Sequence, residues 1–392
     1  MEAAAALTTP DPQALDGIDW SFTAEAGAHP IHGLHPYPAK FVPALPRRVI
    51  EALTRPGDLV FDPFVGSGTA LVEALLAGRR GVGGDLNPVA VVAATAKTRL
   101  LSAEQVGSLQ RWAAQTEARV RARLQAGAVT LPDAWTPVGG RRFKGLEFWF
   151  DEQIARELAA LREVIRDELD PDVAAVLRMC FSSIIVAVSW QDSDTRYVRR
   201  QKAVGAGAVG RLYVRRLLES IDALGALRAT APEAATVVAA DAREADYVRE
   251  GSAALMITSP PYPNAWSYHL YHQNRILWLE EDPWEFKARE IGHHRAYSAA
   301  NGATSEDFAR DMGSVLDHAA RALRPGGHAV VVIGDSIVRG EFVRNDHIVA
   351  AAAAAAGLAS VVTFKRVIDP KRKAFIPSIG SIKTEHVLVY RR

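Results

Sequence analysis

An α/β fold is predicted here: a doubly wound, mostly parallel sheet of seven strands with helices on both faces and a helical insertion. Three observations predict it. Leu59-Val60-Phe61-Asp62 reads as a short buried strand that runs into the turn Gly66-Ser67-Gly68 and then a helix. Ala253-Ala254-Leu255-Met256-Ile257 reads as a second buried strand, stopped by Pro260-Pro261, which fix φ and remove two backbone donors. Strand and helix patterns alternate at both ends of the chain, whereas the middle reads as helix with few strand signals.

In chain order, a helix is expected over 43–53, then the strand ending at Asp62, a helix over 69–77, the strand 81–85 and a helix over about 88–100. From about 102 to 228 helices follow one another, interrupted at 132–140 and at Gly205-Ala206-Gly207. The strand ending at Ala240 and the strand ending at Thr258 come next, then a helix over 268–279 and another over about 305–323. Arg324-Pro325-Gly326-Gly327 is expected to end that helix and start the strand 328–334. An Ala-rich helix ends at Gly357, and strands 361–367 and 384–390 form an antiparallel hairpin at the sheet edge. The organisation expected is an N-terminal arm over 1–34, one half of the core over 35–100, the insertion over 101–235 and the other half over 236–392. The insertion suits either target recognition or a lid or dimerisation element.

Nearly half of the 392 residues are hydrophobic (48%), enough for a sizeable core. No uninterrupted apolar run approaches the ~20 residues of a membrane span, and no basic-then-apolar leader is present, so a cytoplasmic protein without a membrane partner is expected. One cysteine excludes an internal disulfide framework, and the histidines do not fall at metal-ligand spacings, so no metal is expected. The net charge is only +1, yet Arg196, Arg199, Arg200 and Lys202 open a stretch to Arg216 without acidic residues, with Tyr197 and Tyr213 interleaved. Lys371, Arg372 and Lys373 form part of a second basic cluster. Both clusters suit tracking of phosphates, as well as the solvated face that a charge run usually is.

Two loops carry chemistry. Gly66 and Gly68 let a backbone approach a ligand closely, and the helix beginning at Thr69 presents unpaired N–H groups suited to a carboxylate. The segment lacks the Gly-Lys-Ser/Thr ending of a phosphate loop, and Asp85 at the tip of the next strand is well placed for the two hydroxyls of a ribose. In Thr258-Ser259-Pro260-Pro261-Tyr262, outward carbonyls and the Ser259 hydroxyl can accept hydrogen bonds from an amino group, while Tyr262 offers a face for a planar base. A proline turn with a buried tyrosine fits the same five residues.

On these residues the chain resembles the DNA amino-methyltransferases, which use S-adenosylmethionine to methylate cytosine N4 or adenine N6. The resemblance matches Asp62-Pro63-Phe64-Val65-Gly66-Ser67-Gly68-Thr69 to the family's first cofactor motif and Ser259-Pro260-Pro261-Tyr262 to its catalytic motif. It matches His35-Pro36-Tyr37-Pro38-Ala39-Lys40-Phe41 to a further cofactor segment, for which an arm that only covers the sheet is the competing reading. It also implies ribose binding at Asp85-Leu86-Asn87 and contact of Asp241 with the adenine ring. The fold implied is the Rossmann-like methyltransferase sheet, and the partner implied is DNA. A cognate restriction endonuclease stays open as a second partner.

Serine before the two prolines favours cytosine N4, with adenine N6 next, then an RNA amine, then a regulator that reads DNA without catalysis. The cofactor motifs precede the catalytic one, opposite to many relatives with serine there. Carbon-5 chemistry would need a cysteine nucleophile, and Cys180 lies in an apolar run of core character.

Overall fold

The computed structural model describes residues 10–22, 28–127, 129–131, 145–228, 230–264, 266–299, 301–368 and 384–392. Strands among them are β1 (Leu59–Asp62), β2 (Arg80–Asp85), β3 (Gln191–Ser193), β4 (Arg196–Arg199), β5 (Thr236–Ala239), β6 (Ala253–Thr258), β7 (Leu323–Gly334), β8 (Ser336–Val338), β9 (Glu341–Val343), β10 (Ala359–Val367) and β11 (Thr384–Arg391). Seven of them form one sheet in the order β10-β11-β7-β6-β1-β2-β5. β5, β2, β1, β6 and β7 run parallel to their neighbours, and β11 is antiparallel to both β7 and β10. This is the doubly wound, mostly parallel seven-stranded sheet expected from the sequence. Its strand order reverses between β1 and β6, the place where open α/β sheets receive ligands beyond their carboxyl ends.

Every residue of β6 is buried, as a central parallel strand covered on both faces requires. One face is covered by the helices Ala44–Leu53 and Thr69–Leu76, with Leu45, Ile50, Ala70 and Ala74 packed on Val60, Leu255, Ile257 and Val330. Met256, Val331 and Ile333 point to the opposite side, under Phe308, Met312 and Leu316 of the helix Ser305–Ala322. The N-terminal segment is anchored on the first face too, since Trp20 stacks on Phe364 with ring centroids 4.9 Å apart.

Among the described residues, five helices lie between β2 and β5 after Pro88–Lys97: Ala103–Gln125, Leu146–Trp149, Glu152–Arg166, Pro171–Val188 and Ala208–Leu227. Pro171–Val188 is long and apolar enough to cross a bilayer, yet two-thirds of it (67%) is buried among its neighbours. Its Val176, Cys180 and Ile184 share one cluster with Leu158, Tyr213, Leu217 and Ala94, so the helical region is continuous with the sheet's own helices.

Two expectations differ from the fold. Arg324-Pro325-Gly326-Gly327 does not separate helix from strand. The strand begins at Leu323, and a bulge absorbs these residues between the pairs Ala253↔Leu323 and Leu255↔His328. The helix expected over 268–279 is broken into Tyr268–Tyr271 and Gln273–Trp278 at His272, whose ring lies 4.9 Å from that of Tyr37.

Candidate active site

Beyond the carboxyl ends of β1, β2, β5 and β6 lies a cleft that opens to solvent, the usual place for a ligand in such a sheet. Its walls come from Tyr37 and Lys40, from Asp62 to Thr69 except Gly68, from Asp85 and Asn87, from Asp241, and from Ser259 and Pro261. Segments that lie nearly two hundred residues apart in sequence meet here. Thr258 Oγ1 donates to Asp62 Oδ1 at 2.7 Å, joining the ends of β6 and β1 directly.

The Gly68 backbone is left-handed, with φ +84°, and a Cβ there would lie 3.0 Å from Ala94 Cα in the adjoining helix. Gly68→Ala is therefore expected to cost about 1–2 kcal/mol from the left-handed backbone alone. Urea unfolding checks this, and an unchanged midpoint would show that the turn relaxes freely. The helix Thr69–Leu76 starts without a side-chain cap, so its first N–H groups face the cleft end uncapped. Ser67 Oγ is buried there with no hydrogen-bond partner among the described residues. Behind the turn, Lys97 donates to the Ser67 carbonyl at 3.2 Å, and burial pulls its pKa down to about 7.

Asp85 accepts from the backbone N–H of Gly66 (2.9 Å) and of Asn87 (2.9 Å), and Asn87 Nδ2 donates to Tyr37 Oη at 3.0 Å. Burial pushes the Asp85 carboxyl up to about 6 and that of Asp62 up to about 7, against the hydrogen bonds each accepts. Asp241 lines the cleft while Arg243 grips both of its oxygens and Arg289 approaches Oδ2 at 3.2 Å.

An uncapped helix start, an unsatisfied serine hydroxyl and an acidic strand tip are the partners that a cofactor with a carboxylate and a ribose requires. The cleft therefore fits such a molecule. His35 is not brought to it: the ring is buried behind the wall, with Nε2 3.0 Å from Ser182 Oγ.

On the loop that follows β6, Ser259 Oγ lies 3.4 Å from Tyr262 Oη, and that hydroxyl donates to Glu385 Oε1 at 2.9 Å. Glu385 is held in turn by Arg366, whose Nε donates to the Trp20 carbonyl at 3.0 Å. Burial beside the Glu385 carboxylate keeps the Tyr262 hydroxyl protonated well above its ordinary range. Pro260 is buried, and neither it nor Tyr262 is among the walls of the cleft.

The basic run is partly neutralised by residues that precede it. Arg196 and Arg200 pair with Asp192 at 3.1 and 3.4 Å, Arg199 lies over the Trp190 ring at 4.5 Å, and Lys202 donates to the Val186 carbonyl. Lys371, Arg372 and Lys373 lie outside the described residues. Elsewhere at the strand ends, Asp335, Asp346 and His386 bring one ligand atom each within 4.8 Å, with Arg344 paired to Asp346 at 2.7 Å.

Residues 12–96 match the model of the DNA methylase family of N6 and N4 enzymes. The Type II methyltransferase M.MvaI of Kocuria varians is 28% identical over 167 residues, 40% of this chain and 34% of its own length. M.MjaII of Methanocaldococcus jannaschii, another Type II methyltransferase, is 41% identical over 58 residues, 15% of this chain and 11% of its own. Over these segments the chain is similar to N4/N6 DNA methyltransferases. It spans about a third of the length of the first of these relatives and about a tenth of the second. The solved structure of TrmN from Thermus thermophilus is 12% identical, with TM-score 0.35, over 93% of this chain and 52% of that one.

Sequence reasoning missed several groups at this site. Tyr268, Phe286, Glu290 and Ile291 also line the cleft, and Glu385 backs the loop 259–262, held there by Arg366, which the sequence placed only in the second basic cluster. Glu290 accepts from the Tyr268 N–H and meets His269 Nδ1 at 2.5 Å; burial raises the carboxyl and lowers the imidazole. These residues belong to no family motif, and only the fold brings them to the cleft.

Proposed function

We propose that the chain is an S-adenosylmethionine-dependent DNA methyltransferase acting on an exocyclic amine, with cytosine N4 the favoured target. The observation that carries this reading is a cleft walled by both the glycine turn and Ser259. The turn 66–69 and the uncapped helix start would hold the cofactor's methionine end, Asp85 its ribose, and Tyr37 and Lys40 would border it. Asp241 would meet the adenine ring, its carboxylate kept ionised by Arg243 and Arg289. When bound, S-adenosylmethionine supplies an electrophilic methyl group.

The amine of cytosine or adenine is a weak nucleophile because its lone pair is delocalised into the ring. Since the Tyr262 proton is directed to Glu385, the lone pairs of Ser259 Oγ stay available to accept from that amine. Together with the Pro260 carbonyl, Ser259 would hold both N–H groups, draw the nitrogen toward tetrahedral geometry and aim its lone pair into the cleft. Orientation and electrostatics carry the catalysis, without a covalent enzyme intermediate. The buried Cys180 thiol, pushed up to about 12 by burial, offers no nucleophile for carbon-5 chemistry. A base pair must open for the amine to reach Ser259, so the target base is taken out of its stack.

The exposed guanidinium groups of Arg196 and Arg200 on the β3–β4 hairpin would meet phosphates, along with 371–373, in a cytoplasmic enzyme that needs no metal. Replacing both arginines with glutamine is expected to lower the salt slope of DNA binding by about 1 for each phosphate left without its cation, and to leave the preferred sequence unchanged. An unchanged slope in salt titrations would make the hairpin an ordinary solvated surface. The whole reading is tested by incubation with methyl-labelled cofactor and DNA or RNA in parallel. Label in DNA alone is expected; label in RNA alone would move the substrate class, and label in neither would reject the activity.

A further inference from the structure

The short hairpin β8–β9 carries apolar residues on both faces, Val338 and Val343 toward the core and two more toward solvent. Side chains alternate across a strand pair, and here Ser336 and Val338 are buried while Ile337 and Phe342, direct cross-strand partners, face outward. Phe342 is 66% exposed and Ile337 46%. Their turn, Arg339-Gly340, has φ of +52° and +85°, the paired left-handed conformation of the tightest two-residue hairpins.

The hairpin is clamped from several sides. Arg339 donates to the carbonyls of Gly302 and Ala303, and Asn345 Nδ2 donates to Ser336 Oγ at 2.8 Å. Most telling is Asn264, two residues after Tyr262, whose Nδ2 donates to the Ile337 carbonyl at 2.7 Å. Its Oδ1 contacts His294 Nδ1 at 2.5 Å, and its N–H donates to the Gly292 carbonyl. A stiff loop therefore holds an exposed aromatic and aliphatic pair at a fixed place beside the catalytic segment.

We propose that Phe342 and Ile337 form a wedge that enters the DNA stack beside the target base and fills the space it leaves on flipping. The inference rests on the DNA-methyltransferase reading above. Base faces are flat and apolar, and proteins that unstack duplex steps do so with apolar side chains of this type. The same segment that would receive the flipped base also fixes the hairpin, so extrusion and replacement would be coupled through Asn264. A second copy of this chain, or a protein partner, is the competing occupant for an exposed pair of this kind.

The test uses a duplex carrying the site that the wild-type enzyme methylates in plasmid DNA, and the same duplex with an abasic position opposite the target base. In the second substrate the target base is already unpaired, so opening costs little. Phe342→Ala is expected to slow methylation of the paired duplex by about tenfold or more, and to reduce flipping reported by 2-aminopurine fluorescence, while the abasic duplex keeps its rate. Phe342→Trp, which retains a stacking ring, is expected to restore the paired rate. Equal loss on both substrates would overturn the wedge in favour of a structural role, checked by thermal unfolding. Unchanged rates on both would overturn it as well, and unchanged rates with loss of a wild-type dimer in sedimentation would assign the face to self-association. If the wild-type enzyme methylates neither substrate, the failure belongs to the proposed function and not to the hairpin.

Discussion

Ser259→Ala is expected to keep cofactor affinity and lose turnover by about 10²–10³-fold, the usual cost of removing one preorganised polar contact to a developing charge. Ser259 lines the cleft, and its hydroxyl touches only Tyr262 Oη, at a long 3.4 Å, among the hydrogen bonds of the described residues. Removing it leaves the backbone turn intact, because Pro260 and Pro261 set the chain path without it. The loss should therefore appear in kcat and in kcat/KM alike, as for an interaction made chiefly in the transition state. Calorimetry with S-adenosylmethionine and single-turnover methylation separate the two steps. A variant that binds cofactor normally and turns over at the wild-type rate would remove Ser259 from the chemistry.

Asp85→Ala is expected to weaken cofactor binding by about 1–3 kcal/mol, the cost of hydrogen bonds to a charged group left unmade. The carboxylate also organises the site, since it holds the N–H groups of Gly66 and Asn87 from the two loops that meet in the cleft. Because burial raises the Asp85 carboxyl to about 6, ionisation and with it affinity should rise as pH increases through that value. The same shift means that the folded protein binds more protons than the unfolded chain between about 4 and 6, so the uncomplexed fold loses stability from this group across that window as pH rises. Asp85→Asn should flatten the affinity profile. An unchanged affinity in Asp85→Ala would place the ribose elsewhere.

The seven strands of the main sheet and the two motif loops were legible because each rests on a local signal, whereas the β3–β4 and β8–β9 hairpins were not foreseen. A short buried apolar run ended by Pro260-Pro261 suits a strand and its exit, and Gly68 marks a left-handed turn that only glycine takes readily. What the sequence concealed is non-local. The bulge at 324–327 and the break at His272 are imposed by register with β6 and by packing against Tyr37. The acidic partners of the basic run, Asp192 above all, stand just outside it and are folded back by the β3–β4 hairpin. Glu290, Glu385 and Arg366 come from segments with no motif, and it is the position of β11 beside β7 that brings Glu385 to Tyr262.

The central claim is that this cleft delivers a methyl group to an exocyclic amine in DNA, cytosine N4 before adenine N6. Mass spectrometry of nucleosides digested from unmodified plasmid DNA, after incubation with the protein and S-adenosylmethionine, reads it directly. N4-methylcytosine in wild-type reactions and its loss with Ser259→Ala is the result expected. N6-methyladenine alone would contradict the choice of base, and DNA with neither modified nucleoside would contradict the claim itself.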